Sequence, residues 1–272
     1  MIPPPPQPAA ASRPMLSVII PAMNEAGTIR QVLSDYVRDL RASGVPFEIV
    51  VVNDVATDNT AEVLQGLAAE FPEVQGFNRR GKSGYGTAVS TGIDLARGDF
   101  VVISSADACN SSANILDYYR ALEEGNDAVF GSRFIRGGSV TGYPTFKLWI
   151  NRLSNWMLMG FFGWRFNDYT DGFKGYRRTL LEQFKPLFAH KFNITIELSL
   201  KAMLLTDRIK QVPTQWSGRN WGQSKMSILR VLRYYVSSLL FILGLRVVGD
   251  EYRRAARQKA VLEPIQPRDS AR

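Results

Sequence analysis

Two short apolar runs, each ending in an acidic turn, constrain the fold of this chain more than any other feature of its sequence. Residues 47–52 are rich in β-branched side chains and lead to Asp54, and a second run at 99–103 leads to Asp107. Runs of this length and composition predict buried strands. Because open α/β sheets bind ligands outside the carboxyl ends of their strands, we expect both carboxylates at one ligand-binding edge.

A basic, glycine-rich loop lies between these two turns, at residues 78–86 with the sequence NRRGKSGYG. Cationic side chains and exposed glycine backbone suit a phosphate group. One carboxylate at a strand end can bind a base or a sugar hydroxyl, and a second can hold a divalent cation on a diphosphate. The turns and the loop together therefore predict a pocket for a nucleotide diphosphate.

The same loop also matches a different nucleotide-binding pattern. Residues 76–83 fit G-x-x-x-x-G-K-[ST], which is the pattern of the phosphate-binding loop in nucleotide hydrolases. In that class a helix starts at the Lys and the Ser, here Lys82 and Ser83, so that Gly84 and Gly86 would fall in its first turn. Each glycine there costs about 1 kcal/mol relative to alanine. A nucleotide hydrolase is therefore an alternative that the loop itself disfavours.

Strand and helix patterns alternate along the chain. Strand patterns occur at 16–20, 74–77, 127–130 and 209–213, and helical spacing of apolar residues occurs at 28–40, 60–70, 114–124 and 193–205. This alternation predicts an α/β fold with a mostly parallel sheet. A chain of 272 residues is long enough for one such domain with a sizeable core and an appendage.

The charge balance and the scarcity of certain residues limit the possible functions. A formal net charge of +8 predicts an anionic partner, and the absence of an RNA-binding or zinc-finger signature argues against nucleic acid. The single cysteine, Cys109, excludes an internal disulfide. The single histidine, His190, disfavours a Ser/His/Asp or Cys/His mechanism and is expected at the surface or at a helix cap.

Several segments predict contact with a membrane surface. Aromatic residues with flanking cations crowd residues 143–166, as in a helix that lies on a bilayer, although packing in the core is an alternative. The apolar segment 226–250 is expected to lie on the membrane, or else to pack in the protein, because its longest charge-free run has 12 residues, fewer than the roughly 20 that span a bilayer. The basic tail 251–272 adds attraction to anionic headgroups. Residues 1–14 read as a disordered leader without a signal peptide, which predicts a cytoplasmic protein peripheral to the membrane.

Seven short motifs, taken in their order and spacing, resemble the inverting family 2 glycosyltransferases of GT-A fold, and within them the polyprenyl- or dolichol-phosphate mannose synthase branch. They are PAMNE at 21–25, VNDVATDNT at 52–60, KSGYG at 82–86, GD at 98–99, GSRF at 131–134, DYTDGF at 168–173 and RNWGQSK at 219–225. The resemblance implies a GT-A domain over residues 15–225, with a mixed, mostly parallel sheet flanked by helices.

The resemblance also implies roles for individual residues toward a nucleotide-diphosphate sugar. The positions that match donor-binding residues are Pro21, Asn24, Glu25, Asp54, Lys82 and Gly84. Asp107 matches the last carboxylate of the D-x-D motif, which binds Mg²⁺ or Mn²⁺ on the donor diphosphate. The basic and polar positions that match phosphate-binding residues, including those for a lipid phosphate acceptor, are Arg133, Arg219, Ser224 and Lys225.

Two features leave the chemistry open. The D-x-D motif here is Ser105-Ala-Asp107, so a hydroxyl replaces one carboxylate, and a catalytically silent relative that binds nucleotide-sugar is an alternative. A lipid phosphate acceptor is already anionic and needs no general base, whereas a hydroxyl acceptor needs one, for which Asp171 and Asp168 are the candidates.

Overall fold

A computed structural model describes residues 13–107, 109–163 and 165–217, together with residues 240 and 244. Arg219, Ser224 and Lys225 lie outside the described residues. So do nearly all of the apolar segment 226–250, the whole tail 251–272 and the first twelve residues of the predicted leader. The last two leader residues are described and contact the domain, since Arg13 pairs with Glu123 and the Pro14 carbonyl accepts from Tyr119.

The first half of the domain alternates strictly between strands and helices. Its elements are β1 (Leu16–Ala22), α1 (Ile29–Ser43), β2 (Phe47–Asp54), α2 (Thr60–Glu70), β3 (Val74–Arg79), α3 (Tyr85–Leu95) and β4 (Phe100–Ile103). Helix α1 buries the predicted apolar stripe from Ile29 to Leu40 and is capped after Ser43 by Gly44, whose φ of 68° lies in the left-handed region that favours glycine. These elements confirm the alternation predicted from the sequence.

The second half is less regular. Its elements are α4 (Ser112–Glu123), β5 (Ala128–Ser132), β6 (Ser139–Thr141), α5 (Thr145–Phe162), β7 (Lys174–Arg177), α6 (Arg178–Gln183), α7 (Ile194–Leu205), β8 (Ile209–Pro213) and β9 (Gln215–Ser217). The short strands β6, β7 and β9 carry too few apolar residues for a strand pattern, so the sequence did not indicate them.

Seven strands form one sheet in the order β3-β2-β1-β4-β7-β5-β8. All neighbouring pairs are parallel except those of β7, which runs antiparallel to both β4 and β5. Strands β6 and β9 form a separate parallel pair. The sheet is therefore mixed and mostly parallel, as predicted for the GT-A fold.

Helices cover both faces of the sheet, which explains the uninterrupted apolar runs of its central strands. Successive side chains of a strand alternate between faces, so Val18 belongs to the core cluster that includes residues of α1, α2 and α4, whereas Ile19 belongs to the cluster that includes residues of α3, α6 and α7. The register aligns Ala22 with Asn53 and Ile19 with Ile103. The carboxyl ends of β1, β2 and β4 consequently lie at one edge.

Candidate functional site

Asp54 ends β2 at this edge and organises the basic loop that follows β3. Its Oδ1 accepts hydrogen bonds from Arg79, with Nε at 2.8 Å. Its Oδ2 accepts from the Ser83 hydroxyl at 2.8 Å and from the Gly84 backbone N–H at 2.7 Å. Both carboxylate oxygens of this buried side chain therefore hold the protein's own loop, and its predicted contact with a nucleotide stays a prediction.

The loop between β1 and α1 is fastened to the loop between β2 and α2. Asn24 adopts a left-handed φ of 59°, and its side-chain oxygen accepts from the Thr57 backbone N–H at 2.7 Å. The Glu25 N–H donates to the Thr60 hydroxyl at 3.0 Å, and its carboxylate accepts from Thr28. Asn24 and Glu25, the predicted donor-binding pair, thus lie beside Asp54 on one edge, and Pro21 lies in β1 just before them.

The glycines of the basic loop allow close packing at the start of α3. A Cβ atom at Gly84 would clash with the His190 carbonyl oxygen, and one at Gly86 would clash with the carbonyl oxygens of Ala189 and Lys191. Helix α3 starts at Tyr85, two residues after Ser83, whose hydroxyl is bound by Asp54. This arrangement differs from the helix start at Lys and Ser that a hydrolase loop requires, and Lys82 stays exposed beside it.

Asp107 lies four residues beyond β4 at the same edge. Its Oδ1 accepts from the Ser105 hydroxyl at 2.6 Å and from the Cys109 N–H at 3.3 Å. Asn110 in turn donates to the Ser105 hydroxyl oxygen at 3.2 Å. Only β1 separates β2 from β4, so two inter-strand spacings of roughly 5 Å divide the strands that carry Asp54 and Asp107. We call Asp54, residues 79–84, Ser105 and Asp107 the polar edge.

Tyr85 connects the polar edge to the second half of the domain, a role that no pattern in the sequence indicated. It follows Gly84 directly and stacks on Phe192, with ring centroids 4.3 Å apart. Burial raises the pKa of its hydroxyl, and the negative charges of Asp107 and Asp171 raise it further. Tyr85 therefore lies within electrostatic reach of both carboxylates and stays protonated.

Four charged side chains cluster under the end of β5, and we call Arg133, Asp168, Asp171 and Lys174 the charged core. The Arg133 guanidinium forms two hydrogen bonds with Asp168, both at 2.7 Å. Asp168 is fully buried, and Arg133 is 9% exposed. Two donors of Arg133 are therefore already bound by Asp168, and the predicted contact of Arg133 with a phosphate stays a prediction.

The two carboxylates of the charged core have opposite pKa shifts. Burial favours the protonated form of Asp168, but the Arg133 guanidinium outweighs it and lowers the pKa. Burial raises the pKa of Asp171, and the negative charge of Asp168 adds to this. Divergent pairs of this kind are typical of acid–base sites, so Asp171 is the better of the two candidate bases.

Lys174, at the start of β7, holds the turn that carries these carboxylates. Its ammonium donates to the backbone carbonyls of Tyr169 and Asp171. Burial lowers the pKa of this side chain to about 8, against the opposing charges of Asp171 and Asp168. The burial of this lysine could not be predicted, because the short polar strand that carries it has no apolar pattern.

Helix α5 confirms the helix predicted within residues 143–166 and presents one apolar face outward. The side chains that are exposed on this face are Phe146, Trp149, Leu153, Trp156, Met157 and Phe161. Its other face is anchored, because the buried Asn155 donates to Thr170 at 3.1 Å and accepts from the Tyr169 N–H at 2.7 Å. Among the described residues, no helix is long and apolar enough to cross a membrane.

The polar edge offers hard oxygen donors for a divalent cation. The Asp107 carboxylate and the Ser105 hydroxyl lie together, and oxygen ligands are those that Mg²⁺ and Mn²⁺ prefer. Within the described ranges, no group of three or more His, Cys, Asp or Glu side chains could hold a metal by itself. The donor set therefore fits an ion that takes its other ligands from a substrate diphosphate and water.

Comparisons with known proteins agree with this architecture. The family model described as Glycosyl transferase family 2 matches residues 17–184. The dolichol-phosphate mannosyltransferase of Pyrococcus furiosus is 29% identical over 80% of this chain, which spans 61% of that relative's length. The polyprenol monophosphomannose synthase of Mycolicibacterium smegmatis is 30% identical over 77% of this chain and 80% of its own.

Solved structures share the fold. A mycobacterial protein of 20% identity superposes with a TM-score of 0.66, covering 85% of this chain and 75% of that one. The glucosyl-3-phosphoglycerate synthase of Mycobacterium tuberculosis, crystallised with Mn²⁺ and UDP-glucose, has a TM-score of 0.64 at 18% identity and covers 85% of this chain and 80% of its own. At these identities the likeness shows the fold alone.

Proposed function

This chain belongs to glycosyl transferase family 2, and we propose that it transfers a hexosyl group from a nucleotide-diphosphate sugar to a polyprenyl phosphate or a similar membrane lipid. The observation that carries the proposal is the polar edge, where Asp54 and Asp107 follow parallel strands that are separated only by β1. The names of both curated relatives favour mannose as the sugar and a polyprenol phosphate as the acceptor.

The donor is proposed to bind along the polar edge. Asn24, Glu25 and the Asp54 loop face the nucleotide, and Lys82 and the start of α3 face its phosphates, where backbone N–H groups favour negative charge. Asp107, oriented by Ser105, is proposed to hold Mg²⁺ or Mn²⁺ on the diphosphate. Such an ion would neutralise the charge that develops on the departing diphosphate.

The chain's own residues are proposed to act by positioning rather than by proton transfer. The bond between the sugar's anomeric carbon and the donor phosphate breaks, and a bond from that carbon to an acceptor phosphate oxygen forms on the opposite face. That oxygen is already anionic, so no proton has to be removed, and positive charge is needed to bring two phosphates together. Arg133, with Arg219, Ser224 and Lys225 beyond the described residues, is proposed to supply the positive and polar contacts.

The exposed apolar face of α5 is proposed to lie on the membrane that contains the acceptor. Large apolar side chains that recur along one helix face favour insertion at the headgroup boundary. Sedimentation of the full chain with phosphatidylglycerol vesicles tests this, and Trp149→Ala with Phe146→Ala should reduce the bound fraction. Equal binding by the double variant would contradict the proposed orientation of α5.

A donor and acceptor panel tests the proposed reaction. The purified full chain is incubated with Mn²⁺ or Mg²⁺, labelled GDP- and UDP-sugars, and either polyprenyl phosphate or polyprenol. We expect labelled lipid with polyprenyl phosphate and none with polyprenol, because only the former brings an anionic nucleophile. Absence of labelled lipid across the panel would favour the silent alternative raised by Ser105, and GTP or ATP hydrolysis that depends on Lys82 would favour the hydrolase.

A further inference from the structure

Arg152 on α5 is a cation whose hydrogen-bonding capacity is not fully used. Its guanidinium carbon lies 4.2 Å from the centroid of the Phe134 ring and 5.4 Å from that of the Trp156 ring. One of its terminal nitrogens, Nη1, is buried without a hydrogen-bond partner. A buried donor without a partner destabilises the folded state, and more so when it is charged, so this nitrogen is suited to bind an acceptor from a ligand.

The two arginines that contact Phe134 differ in this respect. Arg133 lies 5.3 Å from the Phe134 ring and directs two hydrogen bonds to Asp168. Arg152 contacts the same ring more closely but has a terminal nitrogen without an acceptor. Of these two cations, Arg152 is therefore the one with a buried donor left for a ligand.

A cavity of about 360 Å³ lies beside Arg152, lined by Phe134, Leu148, Trp149, Arg152 and Trp156. Small-molecule sites commonly have this size, combining apolar walls with a few polar groups. Arg152 is the one charged side chain among these five, so the cavity suits a ligand with an anionic end and an apolar body. Trp149 and Trp156 also belong to the exposed face of α5, so the cavity opens where a membrane lipid would arrive.

We infer that Arg152 binds the phosphate of the lipid acceptor and that the aromatic cavity beside it receives the first isoprenoid units. This inference rests on the proposed function, because it names the acceptor subsite of the same reaction. Phe134 contacts both arginines, so a phosphate at Arg152 lies next to the charged core and not on a remote surface. Arginine suits the task, since its guanidinium stays charged and presents several donors to phosphate oxygens.

Binding of farnesyl phosphate to the full chain, measured by titration calorimetry in the absence of donor, tests the inference. Arg152→Gln should weaken this binding at least about tenfold, because a hydrogen bond to a charged group contributes that much. The matched control is Arg165→Gln, which removes an exposed arginine that contacts the Phe166 ring at 5.2 Å and pairs with Asp207. The control should bind as the wild type does.

Three further ligands separate the contribution of the phosphate group from that of the apolar chain, and they identify the class of lipid that supplies the phosphate. Farnesol should bind equally to the wild type and to Arg152→Gln, because it has no phosphate for the guanidinium. Inorganic phosphate should bind much more weakly than farnesyl phosphate, because it leaves the cavity unfilled. Displacement of farnesyl phosphate by an equal concentration of short-chain phosphatidylglycerol would assign the site to a membrane phospholipid instead and would overturn the inference.

A second variant keeps the test independent of how Arg152→Gln folds. Trp149 is 63% exposed, so Trp149→Ala should leave the fold intact. This variant should weaken the binding of farnesyl phosphate and leave the binding of inorganic phosphate unchanged. Equal affinity for farnesyl phosphate in both variants and the wild type overturns the inference. If binding depends on Arg152 but no donor supports transfer, the inference stands and the proposed function is wrong. If transfer occurs and Arg152→Gln leaves the acceptor KM unchanged, the proposed function stands and the inference is wrong.

Discussion

The polar edge and the charged core use the same residue types in two different ways. Asp107 binds Ser105 and the Cys109 N–H and stays partly exposed, whereas Asp54 is buried, pairs with Arg79 and also holds Ser83 and Gly84. Asp168 is fully buried and forms a two-point ion pair with Arg133. The partly exposed Asp107 can also meet a ligand, whereas the fully buried Asp168, which neutralises Arg133, is bound to the fold.

The polar edge and the charged core should differ most in how substitutions at them change the rate of transfer. Asp107→Asn should lower kcat for transfer by at least about 10³-fold, because stabilising charge on the leaving diphosphate is worth several kcal/mol. The unfolding free energy should change little. Asp117→Asn, at an exposed position on α4, is the matched control and should retain full turnover. Normal turnover by Asp107→Asn with the divalent metal chelated away would disprove the metal-binding role.

Asp168→Asn, in the charged core, should mainly lower the free energy of unfolding. Removing one partner of a buried ion pair leaves the other charge uncompensated and typically costs about 3–5 kcal/mol of unfolding free energy. Urea denaturation of the variant, with Asp117→Asn as the exposed reference, measures this loss. A loss below about 1 kcal/mol, as for a surface pair, would mean that Arg133 and Asp168 do not form the pair described here.

The pH dependence of stability should separate the two carboxylates within the charged core. The folded-state pKa of Asp168 is lowered, so its contribution is present above the unfolded value of about 4 and is lost as the pH falls through the folded pKa. The folded-state pKa of Asp171 is raised, so its contribution is present below about 4 and is lost as the pH rises.

Substitution by Asn, which mimics a protonated carboxyl, exposes these opposite signs. As the pH rises from about 3.5 to 7, the cost of Asp168→Asn should grow, whereas Asp171→Asn should become more stable relative to the wild type. Urea unfolding of each variant and of the wild type across this range gives the two slopes. Slopes of the same sign would contradict the opposite pKa shifts.

The smallest effect is expected at Ser105, which orients Asp107 without replacing it. Ser105→Ala removes a hydrogen bond of 2.6 Å to the carboxylate, and a loss of about 1 kcal/mol corresponds to a roughly fivefold lower kcat. Ser105→Thr keeps the hydroxyl and should retain activity. A loss in Ser105→Ala as severe as in Asp107→Asn would indicate that the hydroxyl, and not the carboxylate, is the main contact of the metal.

The elements of the first half were predictable because they follow simple periods. Helix α1 buries the residues that its apolar spacing indicated, and β2 ends at Asp54, where the apolar run of the sequence gives way to an acidic turn. The parallel register then brings both acidic turns to one edge, as expected for strands of an α/β sheet. Local pattern and fold topology agree here, so reasoning along the chain was sufficient.

Reasoning along the chain was not sufficient in the second half. Arg133 and Asp168 are separated by 35 positions, and nothing in either motif indicated that they would pair with each other. The antiparallel strand β7 places Lys174 under the turn that carries Asp171, although its four residues have no strand pattern. These contacts depend on which strands become neighbours, and composition and periodicity do not encode that.

By itself, the sequence determined the alternation of strands and helices, the acidic turns at the strand ends and the glycines that let α3 approach residues 189–191. Those features follow from side-chain periodicity and from sterics within a few residues. Only the tertiary structure decided which charges pair with one another, with Arg133 bound to Asp168, and Arg152 lining a cavity with one buried donor without a partner. The physical reason is that the cost of burying a charge depends on what lies within a few ångströms in space, wherever those neighbours fall along the chain.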